Sequence, residues 1–128
     1  MENKFIEIFT GLKRDYGYAD INSAFKDPST GKLKLKYGWA AKELLESDYL
    51  DHLTGKKSIG IQPCNDEGLA KFGAIDIDSD EYDNFDLRKY LEIIDKKNIP
   101  VVPVKSKSGG LHIYVFFKEP VKASFVRN

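Results

Sequence analysis

With 128 residues, 41% of them hydrophobic and 31% charged, the chain has material for one ordinary domain and too much apolar content for a disordered segment. Twenty basic and twenty acidic side chains cancel, which excludes a protein-wide basic field. One cysteine, Cys64, excludes an intrachain disulfide and a cysteine-built zinc cluster, and points to a reducing compartment. The start, Met-Glu-Asn-Lys-Phe, lacks the apolar run of a signal peptide, and no stretch approaches membrane-spanning length. A cytoplasmic protein with no membrane partner is expected.

The elements follow in chain order. Phe5, Ile6, Ile8, Phe9 and Leu12 form an apolar stripe at helical spacing over residues 2–14, with Gly17 as a stop. Residues 15–31 read as turn-rich, ending in the tight turn Asp27-Pro28-Ser29-Thr30-Gly31. From Lys32 to Tyr37 lysine alternates with leucine or tyrosine, a short strand with one charged face. Lys32, Lys34 and Lys36 are candidates for gripping a phosphate backbone, and equally for keeping an exposed edge from aggregating. Trp39 to Ser47 predicts a second helix and Asp48 to Leu53 a further turn. His52, among Tyr49, Leu50 and Leu53, reads as a packing or capping residue.

Lys57 to Gln62 is a strand stopped by Pro63, expected to form a hairpin with the strand Lys71 to Asp78. Phe85, Leu87, Tyr90, Leu91 and Ile94 predict a helix through Lys97, its first turn supported by Asp86. Ile99 to Val104 is a third strand whose Pro100 and Pro103 suggest an edge or a bent start, and Leu111 to Phe117 is the fourth. The sum is an α+β fold, a mainly antiparallel sheet packed with helices. A single domain over residues 1–128 is expected, with 1–47 its helical and extended N-terminal part and 48–128 its sheet.

Two constellations carry chemistry. Asp76 and Asp78 stand two apart at the end of an apolar strand, so both project from one face. Adjacent carboxylates repel, and a hard divalent cation such as Mg2+ or Mn2+ relieves that repulsion. The alternative is a strand running into an acidic turn, since Ser79, Asp80, Glu81 and Asp83 follow. The second constellation is Lys105-Ser106-Lys107-Ser108-Gly109-Gly110-Leu111-His112. Gly109 and Gly110 permit a tight hairpin whose bare backbone approaches an anion closely. Lys105, Lys107, Ser106 and Ser108 add charge and hydroxyls, which makes a cradle for a triphosphate. An ordinary turn with a half-buried histidine would look the same. The charge is segregated to match: residues 32–42 hold Lys32, Lys34, Lys36 and Lys42 without an acid, and residues 76–86 hold six acids without a base.

Taken together, Ala74-Ile75-Asp76-Ile77-Asp78, the run Ser108 to Phe117 and the approach His52 to Pro63 resemble the archaeo-eukaryotic primase superfamily. The resemblance is to the primase-polymerase domains of phages, plasmids and other mobile elements, and bacterial conflict systems. It implies an RRM-like catalytic sheet with an N-terminal α/β extension. It implies a DNA-dependent primase or polymerase, a nucleotidyltransferase that makes or extends primers in DNA replication. By resemblance Asp76 and Asp78 ligate two Mg2+ or Mn2+ ions, and His112, with Lys107 and Ser108, binds the phosphates of the incoming nucleotide. Catalytic roles thus fall to Asp76, Asp78 and His112. The partners implied are nucleoside triphosphates, single-stranded DNA or a primer–template, and a helicase or other replication domain. The family has a third motif, a later metal-binding aspartate. After His112 the only carboxylate is Glu119, so the third ligand is expected outside these residues, in a longer protein, or lost in a curtailed relative. The competing expectation is a non-catalytic nucleic-acid or replisome module that keeps the sheet. A metal-dependent nuclease ranks behind both.

Overall fold

Backbone pairing divides the strands into two antiparallel sheets. The computed structural model describes residues 2–78, 85–106 and 109–127. In chain order the elements are α1 (Glu2–Ile8), β1 (Tyr16–Lys26), β2 (Leu33–Ala40), α2 (Glu46–Leu53), β3 (Ser58–Gly60), β4 (Leu69–Ile77), α3 (Leu87–Lys96), β5 (Val102–Lys105), β6 (Leu111–Lys122) and α4 (Ala123–Arg127). The first sheet has the order β2-β1-β3 and the second β4-β6-β5. This is the α+β architecture expected from the sequence.

Several local expectations are corrected in the first half. The segment read as turns forms the long strand β1, because β2 satisfies its backbone from Tyr16↔Ala40 to Lys26↔Leu33. Its turn-forming residues are absorbed by an irregularity between Asp20 and Phe25. There Asp20 accepts from the Asn22 amide and the Ser23 hydroxyl. Trp39 and Ala40 end β2 rather than begin a helix, since Gly17 and Tyr16 pair with them. The helix starts later, at Glu46, where the Asp48 carboxylate accepts the Leu45 amide at 2.9 Å. The strand at Ser58 pairs with Ala19, Tyr18 and Gly17, not with β4. The expected turn is present, with Asn65 N donating to Leu69 O at 2.9 Å, but only Cys64 bridges to β4, at Ala70. Pro63 has no N–H to continue the ladder, so the chain before it follows β1.

The core of this half is Tyr16, Leu44 and Tyr49, flanked by Phe5, Ile6, Ala40, Ile59 and Ile61. A polar triad ties three segments together beneath it. The Tyr16 hydroxyl donates to Asp48 at 3.2 Å, and Lys57 Nζ donates to the Tyr16 hydroxyl at 2.8 Å and to Asp48. Burial pushes the Asp48 carboxyl up, but the hydrogen bonds from Lys57, Leu45 and Tyr16 outweigh it and the net shift is downward. Lys57 is raised by the same pair. Asp27 is held well below the carboxylate range by Lys34, Ser29 and Thr30.

These directions fix a pH profile. Asp48 and Asp27 contribute above their unfolded values and lose that contribution as acid protonates them. Lys57 contributes throughout the range below the ordinary lysine value and loses it only as pH rises through its raised value. The thermal midpoint is expected to be flat from about pH 5 to 9 and to fall below about pH 4. Asp48→Asn should lower the plateau and shallow that acid limb in a thermal scan across pH; an unaltered profile would dismiss the triad as a stabiliser.

In the second sheet β4 and β6 run in register from Phe72↔Phe116 to Ile77↔Leu111, and β5 joins with Val104 opposite His112. One face carries Phe72, Ala74 and Asp76 beside His112, Tyr114 and Phe116. Phe9, just past α1, meets Phe72, Tyr114 and Phe116 edge-on, with centroids 5.3, 5.6 and 5.3 Å away. The Tyr49 hydroxyl donates to the Phe9 carbonyl at 2.9 Å, which anchors this wedge to the first half. On the other face Gly73 lets α4 approach: a Cβ there would lie 2.4 Å from Val126 Cγ1. Asp86 caps α3, accepting from the Lys89 amide at 3.2 Å, as its position in the sequence suggested.

Candidate active site

The apolar residues of β4 set where its carboxylates stand. Phe72 is buried and anchors the strand, which delivers Asp76 to its open end with the side chain 64% exposed. Asp78 follows Ile77 and is also exposed. Leu111, 1% exposed, seats the head of β6 in the interior and thereby fixes the register. A slip of one residue would turn Leu111 to solvent and His112 away. In the observed register His112 lies directly across from Asp76, with Nε2 3.2 Å from Asp76 Oδ1. Tyr114 meets the imidazole edge-on at 6.3 Å.

The glycine turn enters beside this pair. Gly109 has φ 94°, which only glycine adopts readily, and its amide donates to Ser106 O at 3.2 Å. The Ser106 amide donates to Gly110 O at 3.0 Å, closing the turn. Asp76, His112, Gly109 and Gly110 thus gather at one end of the second sheet. Lys105 pairs with Leu111, which places it on the opposite face from His112 by strand alternation. Lys107 and Ser108 lie outside the described residues, as do Ser79, Asp80, Glu81 and Asp83.

The lysine row belongs to the other sheet. Lys34 forms an ion pair with Asp27, and Lys36 stands opposite Asp20. Lys32 begins the same hairpin, where its carbonyl accepts the Asp27 amide at 2.9 Å.

His52 packs as the sequence suggested. Its ring stacks on Phe5 with centroids 6.4 Å apart, and Nδ1 lies 3.3 Å from the Lys57 carbonyl. It also helps line a cavity of about 430 Å³ with Phe5, Phe9, Phe72, Val104 and Tyr114. Val104 and Tyr114 neighbour His112 across and along the sheet, so the cavity abuts the Asp76–His112 pair. In the sequence Phe5 and Phe9 read only as part of a core stripe; their spacing of four residues was the available signal of a shared aromatic wall.

Among the described residues no group of three or more histidine, cysteine or acidic side chains converges on one point. Asp76 and Asp78 supply two hard oxygen donors. That number suits Mg2+ or Mn2+, which commonly take one or two protein carboxylates and fill their remaining positions with water and phosphate oxygens.

No helix among the described residues is long and apolar enough to cross a membrane. A search of curated proteins finds no match to the chain. The family model for the archaeo-eukaryotic primase domain of the TOTE conflict system matches residues 13–128, from the approach to β1 through both motif strands. The chain therefore belongs to the archaeo-eukaryotic primases, a primase-like branch of the nucleotidyltransferases, with the TOTE conflict-system domain as its matching type.

Proposed function

We propose that this chain binds a nucleoside triphosphate at the Asp76–His112 end of the second sheet and serves DNA-dependent primer synthesis or extension. The observation that carries the reading is the register that sets Asp76 opposite His112 at 3.2 Å, beside the Gly109-Gly110 turn. Asp76 and Asp78 would hold the divalent ions of the family. A bound Mg2+ or Mn2+ supplies charge to balance the triphosphate and acidifies the attacking 3′-hydroxyl. The chain's own residues do the positioning. His112, half-buried beside Asp76, donates from Nε2 to a phosphate oxygen. Gly109 and Gly110, without side chains, let the phosphates come close to the backbone, and Lys107 and Ser108 add charge and a hydroxyl. Tyr114 and the rings behind it form an apolar wall that keeps water from one side of the bound nucleotide.

A charge-assisted hydrogen bond from His112 is worth about 1.5–3 kcal/mol. His112→Ala is accordingly expected to weaken triphosphate binding roughly ten- to a hundredfold. Binding of the nucleoside alone should be unchanged. Triphosphate affinity unchanged in the variant would refute the role given to His112.

A further inference from the structure

The cavity beside the Asp76–His112 pair has a histidine in an otherwise apolar and aromatic wall. Phe5 and Ile59 line it from the first half and Phe72 and Tyr114 from the second sheet, with His52 among them. Its volume of about 430 Å³ falls in the size range of small-molecule sites. His52 is half-buried and its ring is held in place. One face stacks on Phe5, and Nδ1 lies 3.3 Å from the Lys57 carbonyl and 3.5 Å from the Ile59 amide. The carbonyl is the nearer partner, which assigns the ring proton to Nδ1. Nε2 is then an acceptor, and it has no partner among the described residues. An acceptor fixed in an apolar wall orients what enters, as the few polar groups of such sites do.

We propose that His52 is a specificity-determining residue that reads the sugar of the bound nucleotide, its Nε2 accepting a hydrogen bond from a sugar hydroxyl. The inference rests on the nucleotide site proposed above. Position selects the sugar. With the phosphates at His112 and the Gly109-Gly110 turn, the group bonded to them enters beside Tyr114. That ring stands two residues, about 7 Å, from His112 along the same face of β6. Val104, across from His112, continues the wall. Chemistry selects the sugar again. It has an apolar C–H face to lay on aromatic rings and hydroxyls to donate to Nε2. Bases differ in the donors they present, and a base that pairs with a template must keep its edge free. The sugar is common to nucleotides of every base, so one fixed acceptor serves them all.

Calorimetry on the whole chain with Mn2+ compares ATP with its 2′-deoxy and 3′-deoxy analogues, and UTP with the corresponding pair. The analogue that lacks the hydroxyl read by His52 should bind about three- to tenfold more weakly, the worth of one neutral hydrogen bond, and equally so for both bases. His52→Phe keeps a ring against Phe5 and should remove the difference. His52→Gln returns an acceptor near the place of Nε2 and should keep it. A thermal melt checks that both variants fold, and the comparison of sugars on the original chain needs no variant. Equal affinity of the original chain for all three sugars overturns the inference and leaves the nucleotide site standing. So does a preference that survives in His52→Phe, or one seen with ATP and not with UTP, which would make the base the group that is read. No binding of any nucleotide by the original chain fails the site itself, and the inference with it.

Discussion

Alanine at both Asp76 and Asp78 is expected to lower nucleotide transfer to a primer about 10³-fold or more, with little change in stability. On the proposed reading the carboxylates would seat the divalent ions, whose stabilisation of the transition state is worth several kcal/mol, and each 1.36 kcal/mol is tenfold in rate. The fold has little to lose there. Both carboxylates are exposed, and removing two like charges from one strand end relieves repulsion. The measurement is primer extension with Mn2+ beside a thermal melt. Retained extension with an intact melt would take the metal role away from these residues.

The second large effect concerns the wedge between the sheets. Phe72 is 5% exposed and meets Phe9 edge-on and Phe116 at 6.2 Å, so its ring holds the end of α1 to the second sheet. Phe72→Ala is expected to cost about 3–5 kcal/mol, the range for buried phenylalanine truncation. Phe125, 73% exposed on α4, provides the contrast: Phe125→Ala should stay within about 0.5 kcal/mol. Denaturant unfolding of both variants decides the matter. Similar losses, or a small one at Phe72, would mean that the ring cluster is not the junction that stabilises the chain.

The second sheet was largely legible because its signals are local. An apolar run ending in Asp76-Ile77-Asp78, and a Ser-Gly-Gly turn opening a strong strand, each declare themselves within ten or so residues. Their juxtaposition was not local. It depends on the register that buried Leu111 sets against Ile77, a pairing between segments far apart in the chain. The first half was read less well for the same reason. Asp20, Asn22 and Ser23 look like a turn and do form one, but inside a strand whose pairing with β2 overrides them. Trp39-Ala40-Ala41-Lys42 has helical composition, yet Tyr16 and Gly17 hold its first two residues in the sheet. The partner of Ser58 to Gly60 could not be chosen by nearness, since the adjacent β4 lost to the distant β1. The exposed rings of Tyr37 and Trp39 show the converse. In the sequence they pass for ordinary strand and helix residues, and only the paired sheet reveals their exposure.

The most direct test of the account is calorimetric titration of a nucleoside triphosphate into this chain with Mn2+, beside the Asp76→Ala/Asp78→Ala variant. Binding that requires Mn2+ in the original chain and disappears in the variant is the predicted result. Equal binding by both chains, or no binding by the original, would contradict the claim that the Asp76–His112 end of the second sheet is a nucleotide site.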